Sequence, residues 1–309
     1  MSYLIIDTDI GVDDAYAVKL AVLSGELLGV TTTYGNASVV QTTKNAKLAL
    51  KTWQKNFKVY RGASRPLVIK PPVNDGHIHG IDGLGACYEN NESPDADDAI
   101  HFIVECARKY KGEVTLLTIG PLTNLALALN IEPNLPNLLK GVISMGGAFG
   151  RDGHTGNMTH FAEFNIFADP HAAEEVCSAP FNLTLIPLDI THQVLIDEKD
   201  IASYHDEFLS NISKFYLDFS EKYEKFRGMC VHDALTAVYY KHPEFFEVTK
   251  SPIAVSTEGI TFGQTHRIIS SYASIPFDIF KDRPVHNIIL NGDVKAIKEY
   301  MCQEMNKEN

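Results

Sequence analysis

Short apolar runs alternate with segments of helical periodicity along most of the chain. The run Tyr3 to Ile6 is followed by apolar residues at helical spacing from Ala15 to Leu23, and Leu27 to Thr33 is followed in the same way by Val39 to Trp53. The later strand and helix patterns are Val59-Tyr60, Ala99 to Tyr110, Val114 to Ile119, Leu122 to Asn130, Val142 to Met145, His171 to Ser178 and Leu183 to Ile186. This alternation predicts an α/β fold with a mostly parallel central sheet flanked by helices, as in Rossmann-like proteins.

Two long irregular stretches, Gly62 to Asp95 and Gly146 to Phe161, each follow a predicted strand. Loops of this length are uncommon unless they are functional, and parallel sheets bind ligands beyond the carboxyl ends of their strands. No internal repeat or linker interrupts the pattern, so we expect residues 1–309 to form one domain.

The chain is acidic, with 27 basic and 39 acidic residues among 309 and a net charge of −12. This charge disfavours nucleic acid or an anionic membrane as the main partner. There is no apolar stretch of about 18 residues and no basic start to an apolar signal, so we expect a soluble cytoplasmic protein. The five cysteines are scattered and never spaced as C-x-x-C, which favours reduced thiols over disulfides or a thiolate zinc site.

Four carboxylates stand in eight residues directly after the first predicted strand: Asp7, Asp9, Asp13 and Asp14. Capping of the following helix explains one of them. Two like charges about 4 Å apart repel by roughly 4 kcal/mol at an effective dielectric near 20, so a cleft that holds several needs a shared proton or a cation. Oxygen ligands favour Ca²⁺ or Mg²⁺. Because neither G-x-G-x-x-G nor G-x-x-x-x-G-K-[ST] follows this strand, dinucleotide and P-loop sites are disfavoured.

The segment Asp7 to Ala15 resembles D-x-D-x-G-x-D-D-A, the N-terminal signature of the nucleoside hydrolases. Further matching segments follow in the family's order: Tyr34-Gly35-Asn36, Ile78 to Leu84, Gly120 to Ala126, Gly156-Asn157 with Ala162 to Asn165, and Val231 to Ala234. The ordered set spans residues 7–234. The resemblance implies the nucleoside hydrolase fold and hydrolysis of the N-glycosidic bond of ribonucleosides to ribose and a free base, in nucleoside salvage or catabolism.

The resemblance also implies a Ca²⁺ ion at the base of a deep pocket, where it holds the ribose hydroxyls and the attacking water. Its ligands would be the carboxylates of Asp9, Asp14 and Asp233 and the backbone carbonyl of Thr123. Because that carbonyl does not involve the side chain, we expect substitution of the Thr123 side chain to have little effect. Taken alone, Asp233 and the Thr123 segment indicate no more than helix starts.

The ribose-binding residues implied by the resemblance are Asp13, Asn36, Asn157, Glu163 and Asn165. Taken alone, the two asparagines beside glycines are typical of turns. His79 would line the base pocket or be structural. Apolar residues recur at helical intervals from Phe208 to Phe226, which predicts an amphipathic helix that is mostly core. The resemblance adds that Tyr223 or Phe226 stacks on the nucleobase.

In the implied mechanism Asp9 takes a proton from the attacking water and His232 assists departure of the base. A homodimer or homotetramer is implied as well.

Ile10 and His160 stand where the family often has Pro, and Ala148 to Thr155 looks long, so the preferred base stays open. Two alternatives also remain open: a haloacid dehalogenase-type phosphatase with Asp7 or Asp9 as nucleophile, and a nucleoside-binding protein without catalysis.

Overall fold

The structure is a computed structural model that describes residues 2–71, 76, 78–269 and 275–307. The strands in this part of the chain are β1 (Tyr3–Thr8), β2 (Leu27–Thr32), β3 (Val59–Arg61), β4 (Val114–Thr118), β5 (Gly141–Met145), β6 (Leu183–Ile186), β7 (Leu195–Asp197), β8 (Gly228–Cys230), β9 (Phe246–Val255), β10 (Thr265–Arg267) and β11 (Val285–Gly292). The α-helices are α1 (Val12–Leu23), α2 (Val39–Thr52), α3 (Ala99–Lys109), α4 (Thr123–Ile131), α5 (Leu135–Leu138), α6 (Phe164–Ala168), α7 (Pro170–Ser178), α8 (Leu188–Thr191), α9 (Glu198–Ser203), α10 (Glu207–Phe219), α11 (Ala234–Lys241) and α12 (Val294–Met305). A π-helical turn, Ser220–Glu224, directly continues α10.

Nine strands form one sheet in the order β10-β9-β11-β6-β5-β4-β1-β2-β3 among the residues described. Strand β9 is antiparallel to both β11 and β10, and the other neighbouring pairs are parallel. Strands β7 and β8 form a separate antiparallel pair. The predicted α/β architecture with a mostly parallel central sheet is therefore confirmed.

The strand order reverses at β1. The chain continues from β1 to β2 and β3 on one side, and β4 pairs with the other side of β1. Asp7 of β1 is in register with Thr31 of β2 and with Thr118 of β4, so the three strands end at the same level. A crevice opens at such a reversal, beyond the carboxyl ends of the strands.

The core lies on both faces of the sheet. Leu4 and Ile6 of β1 contact the apolar cluster that includes α1, α10 and α11, whereas Ile5 contacts the cluster that includes α3, α4 and α7. This division follows the two-residue period of a strand buried on both faces. No helix among the described residues is long and apolar enough to cross a membrane.

Helix α1 begins at Val12, three residues before the predicted Ala15. The Asp14 carboxylate accepts a hydrogen bond of 2.9 Å from the Gly11 N–H and so satisfies a backbone donor at the helix start. Carboxylates are favourable in the first turn because they face the positive end of the helix dipole. The early start places Asp13 and Asp14 on α1 itself, directly above the end of β1.

Candidate active site

A cavity of about 470 Å³ opens beyond the carboxyl ends of the central strands. Its lining includes Asn36, which follows β2, Ile119, which follows β4, and Met145 at the end of β5. The further lining residues are Asp13, Ile78, His79, Asn157, Met158, Glu163, Phe164, Asn165, Tyr216, Phe219, Tyr223, His232 and Asp233.

Asp9 follows β1 and is buried between the loops that leave the two neighbouring strands. A Cβ atom added at Gly35, after β2, would overlap its carboxylate, and one added at Gly120, after β4, would lie 2.6 Å from its Oδ1. Glycine is therefore required on both sides of this carboxylate. Its Oδ2 accepts a hydrogen bond of 2.8 Å from the Asn36 N–H, whereas its Oδ1 has no hydrogen-bond partner among the described residues.

Asp14 is fixed by three hydrogen bonds. Its Oδ1 accepts from the Thr8 hydroxyl at 2.7 Å, and its Oδ2 accepts from the Gly11 N–H at 2.9 Å and from the Asn36 amide nitrogen at 3.0 Å. Asn36 thus contacts two of the carboxylates, one through its backbone and one through its side chain.

The acidic cluster consists of Asp9, Asp13, Asp14 and Asp233. Carboxylate oxygens of Asp13, Asp14 and Asp233 lie within 4.8 Å of one another. Asp9, which the resemblance makes a metal ligand, is not in this group, whereas Asp13, which it makes a ribose-binding residue, is. Burial and the neighbouring charge of Asp14 raise the pKa of Asp13 to about 8, and burial raises the pKa of Asp9 and Asp233 well above the ordinary value. The unpartnered Asp9 oxygen and the mutual repulsion of these carboxylates fit a hard divalent cation.

Thr123 is the first residue of α4, and its side chain makes buried hydrogen bonds. Its hydroxyl donates to Asp169 Oδ2 at 2.8 Å and lies 3.1 Å from the Tyr34 hydroxyl. Asp169 also accepts from the backbone N–H of Leu67 and of Ala172. The start of α4 is therefore tied to a buried carboxylate that joins three segments of the chain.

Glu163 and Asn165 connect the ends of the strands to α6. Glu163 Oε1 accepts from the Asn165 N–H at 2.8 Å, and its Oε2 accepts from the N–H groups of Gly147 and Ile166. Burial raises the pKa of Glu163 to about 7 against the lowering effect of these bonds. The Asn165 amide nitrogen donates to the carbonyls of Ile119 and Met145, both at 3.2 Å.

Asn157 is both a turn residue and a cavity residue. Gly156 permits the turn, because a Cβ added there would overlap the backbone of Ala162. Asn157 Oδ1 accepts from the Phe164 N–H at 2.9 Å, which leaves the amide nitrogen of Asn157 as a donor for a ligand. The turn interpretation of the Gly-Asn motif therefore fits the structure, and ribose binding by Asn157 stays a prediction.

Two buried histidines line the cavity with lowered basicity. His79 Nδ1 accepts from the Val12 N–H at 3.1 Å, and burial lowers the pKa of His79 to about 4. His232 Nδ1 lies 2.7 Å from the Thr191 hydroxyl, and burial together with the neighbouring His192 lowers the pKa of His232 to about 3. Both rings are therefore neutral near pH 7.

One side of the cavity is an aromatic wall made of Tyr216, Phe219 and Tyr223. Successive ring centroids are 6.3 Å and 5.0 Å apart, and the edge of the His79 ring contacts Tyr216. Tyr223 lies in the π-helical turn and is 54% exposed. π-Helical turns occur often at functional sites.

Phe226 is not part of the cavity lining. Lys225 adopts a left-handed conformation with φ 66°, which ends the helical path after Tyr223 and turns the chain toward β8. The Phe226 ring lies beside Gly228 of that strand. Of the two aromatic residues suggested for the nucleobase, the structure places only Tyr223 at the cavity.

Most of the residues predicted from the sequence are brought together. Nine line the cavity: Asp13, Asn36, His79, Asn157, Glu163, Asn165, Tyr223, His232 and Asp233. Asp9, Asp14 and Thr123 are buried outside the lining. Six apolar lining residues were not predicted as site residues: Ile78, Ile119, Met145, Met158, Phe164 and Tyr216. Phe219 lies in the helical pattern that was predicted to be mostly core. Phe219 and Tyr223 are four residues apart, and this helical spacing was the sequence signal that both lie on the same face of the helix.

An α/β fold with buried carboxylates at the reversal of strand order and an aromatic wall above them defines a metal-site enzyme that acts on a small organic ligand. The chain belongs to the family described as inosine-uridine preferring nucleoside hydrolase, whose model matches residues 4–299. It is therefore an N-ribohydrolase of a metal-dependent family. The phosphatase alternative and the alternative of binding without catalysis are thereby wrong.

Relatives match along most of their length. The chain is 33% identical to a probable uridine nucleosidase 1 of Oryza sativa subsp. japonica, covering 85% of this chain and 83% of the relative. It is 32% identical to a non-specific ribonucleoside hydrolase of Escherichia coli, covering 97% of each. The solved structure of a plant nucleoside hydrolase, PpNRh1, superposes with a TM-score of 0.93 at 27% identity and 99% coverage of both chains.

Proposed function

We propose that the chain is a Ca²⁺-dependent hydrolase of ribonucleosides that serves nucleoside salvage or catabolism. The observation that carries the proposal is the close grouping of the Asp13, Asp14 and Asp233 carboxylates, from opposite halves of the chain, at a cavity with an aromatic wall. The four carboxylates and the absence of thiolates among the cluster residues favour Ca²⁺ over a softer ion.

Asp9, Asp14 and Asp233 would hold the ion together with the Thr123 carbonyl, and Asp13 lies close enough to contribute an oxygen. A bound Ca²⁺ supplies positive charge that orients sugar hydroxyls and lowers the pKa of water. Asp9 accepts the proton of the attacking water. Its raised pKa and its unpartnered Oδ1 are consistent with a group that takes up a proton.

The ribose would lie between α1 and α6. Asp13, Asn36, Asn157, Glu163 and Asn165 surround this part of the cavity and offer carboxylate oxygens and amide groups to the sugar hydroxyls. Cleavage of the glycosidic bond develops positive charge on the sugar ring, which nearby carboxylates stabilise.

The nucleobase would lie against the aromatic wall, with His79 and His232 at its edge. Stacking on Tyr223 and Phe219 binds any flat base, and His232 assists departure of the base as a donor or through a relay. We further infer one domain, because strands from both ends of the chain join the same sheet. A cytoplasmic homodimer or homotetramer completes the proposal.

The test is release of reducing sugar from inosine, adenosine, uridine and cytidine by chelator-treated protein that is supplied in turn with Ca²⁺, Mg²⁺ or Zn²⁺. We expect no release in the chelator and full recovery with Ca²⁺. Full activity in the chelator, or recovery with Zn²⁺ alone, would contradict the proposal. Size-exclusion chromatography with light scattering tests the oligomer, and a monomer would refute that part.

A further inference from the structure

His232 contacts Thr191, the last residue of α8, and His192, the residue that follows it. The Thr191 hydroxyl lies 2.7 Å from His232 Nδ1. The His192 ring meets the His232 ring edge to face, with centroids 5.4 Å apart and planes inclined at 68°. Neither Thr191 nor His192 lines the cavity, and neither belongs to a motif from the sequence analysis.

Burial determines which group is the donor in the hydrogen bond between Thr191 and His232. Thr191 is fully buried, and in the described part of the chain its hydroxyl has no hydrogen bond other than that to His232 Nδ1. A buried hydroxyl proton needs an acceptor. If His232 Nδ1 carried a proton, two donors would face each other or the hydroxyl proton would have no acceptor. The arrangement that satisfies both groups has the hydroxyl donating to a bare Nδ1.

A neutral imidazole carries one proton, so a bare Nδ1 places that proton on Nε2. Nε2 is the ring nitrogen left for a ligand, because Nδ1 is taken by Thr191 and the ring lines the cavity. The tautomer that Thr191 favours is therefore the one that presents an N–H donor to the departing base. The opposite tautomer would present a lone pair there and could not donate.

The second contact keeps the ring in place. His192 lies across the His232 ring, and its own Nδ1 lies 3.3 Å from His154 Nδ1. His154 belongs to the segment 148–155, which looks long for the family. The histidine that faces the cavity is thus supported by a buried hydroxyl and by a pair of rings reaching back to this segment.

We propose that Thr191, supported by His192, is a positioning residue that holds His232 in the tautomer with a proton on Nε2 and so makes it a donor to the leaving nucleobase. The inference rests on the proposed role of His232. During cleavage the bond between the anomeric carbon and the base nitrogen breaks and its electron pair goes to the base. The N–H on Nε2 donates a hydrogen bond to the negative charge that develops there, and the released base takes its proton from water. The attacking water supplies the new oxygen on the sugar and loses a proton to Asp9.

The experiment compares a natural nucleoside, inosine, with 4-nitrophenyl β-D-ribofuranoside, whose leaving group departs without protonation. Wild-type protein, Thr191→Val, Thr191→Ser and His232→Ala are measured on both substrates with Ca²⁺ present. Thr184→Val is the matched control, because it removes a buried hydroxyl on β6 that accepts from Asn287.

We expect Thr191→Val to lower kcat for inosine by about tenfold, as for one lost hydrogen bond, and to lower kcat for the nitrophenyl riboside by less than threefold. Thr191→Ser restores inosine turnover to within threefold of the wild type, and Thr184→Val changes neither substrate. His232→Ala lowers inosine turnover by about 10² to 10⁴ and spares the riboside.

If Thr191→Val loses turnover equally on both substrates, or on neither, the proposed role of Thr191 is overturned. The proposed function still stands in that case if His232→Ala loses turnover on inosine only. Equal loss on both substrates in His232→Ala instead refutes the donor role of His232 itself. A readout independent of turnover is the ¹⁵N NMR spectrum of histidine-labelled protein, with His232 assigned from a His232→Gln sample. We expect the proton on Nε2 in the wild type and in Thr191→Ser, and a proton on Nδ1 in the wild type would overturn the inference.

Discussion

The acidic cluster and the aromatic wall face the same cavity but are built in opposite ways. The cluster carboxylates are at most 4% exposed, and Asp9 and Asp14 accept hydrogen bonds from Thr8 at the end of β1 and from Asn36 after β2. The wall belongs to α10 and its π-helical turn, its rings touch one another, and Tyr223 is 54% exposed. The comparison teaches that the sheet fixes the part that would act on the sugar, whereas a peripheral helix carries the part that would meet the base.

The largest effect is expected at the cluster. Asp9→Ala removes a proposed metal ligand together with the proposed proton acceptor, so we expect turnover to fall by about 10³-fold or more while the melting temperature shows a folded protein. The measurement is ribose release at saturating nucleoside. Asp97→Ala, which removes an exposed carboxylate paired with Arg61, is the control. Turnover of Asp9→Ala within tenfold of the wild type would show that the cluster does not carry the chemistry.

A smaller effect is expected one contact away from the cluster. The Thr123 hydroxyl donates to Asp169, so Thr123→Val or Asp169→Asn loosens the start of α4 and the carbonyl proposed as a ligand. We expect Ca²⁺ affinity to fall by about 10-fold to 100-fold, as for the outer shell of other metal sites. Calorimetric titration of metal-free protein measures it, with Thr184→Val as the control. Unchanged affinity would restore the expectation that the Thr123 side chain matters little.

The residues of the cluster could be predicted because they stand directly after strands. Asp9 closely follows a short apolar run that is typical of a buried strand, and parallel strands end at one edge of a sheet. The family resemblance then added Asp233, which neither spacing nor composition links to Asp9. The polar support of the site was not predicted, since Asp169 and Thr191 contact Thr123 and His232 across 46 and 41 residues.

The wall and the C-terminal strands were harder to predict for physical reasons. The pattern from Phe208 to Phe226 predicts a helix with an apolar face. Phe208, which is buried in the core, and Phe219, which lines the cavity, belong to the same pattern, so periodicity does not distinguish them. The left-handed Lys225 that diverts Phe226 has no signal in a helical pattern. Strand β9 is buried mainly in its last five residues, so it lacks the long apolar run that marks β4.

The wall itself is tested by the matched pair Tyr223→Ala and Phe226→Ala. Loss of a stacked ring is worth about 1 kcal/mol, so we expect Tyr223→Ala to raise KM about fivefold with little change in kcat. Phe226→Ala leaves KM within twofold of the wild type, because its ring lies beside Gly228 outside the cavity. Steady-state kinetics with a purine and a pyrimidine nucleoside measure both. A larger KM effect from Phe226→Ala would mean that the base lies elsewhere.

The smallest expected effect is a dependence of stability on pH that comes from the acidic cluster and not from the aromatic wall. The pKa of Asp13 is about 8 in the folded protein and near 3.8 when unfolded, so near neutral pH the folded state holds a proton that the unfolded state has released. Stability is then lost as pH rises through 8. Between pH 7 and pH 8.5 the buried histidines oppose this fall only weakly, because they are neutral in the folded state and an unfolded histidine with a pKa near 6.5 is already mostly neutral. We expect the free energy of unfolding in chelator to fall by about 1 kcal/mol over this range.

Urea titrations at the two pH values measure this fall in stability, and Ca²⁺ should remove it because the ion replaces the proton among the carboxylates. Asp13→Asn should reduce the slope in chelator, since the amide has no proton to release, while the other buried carboxylates with raised pKa values leave a remainder. Tyr223→Phe should keep the wild-type slope, because the wall holds no carboxylate of the cluster. A slope unchanged in Asp13→Asn would place the titrating group at a residue other than Asp13, and a slope that changes in Tyr223→Phe would contradict the electrostatic distinction between the two sides of the cavity.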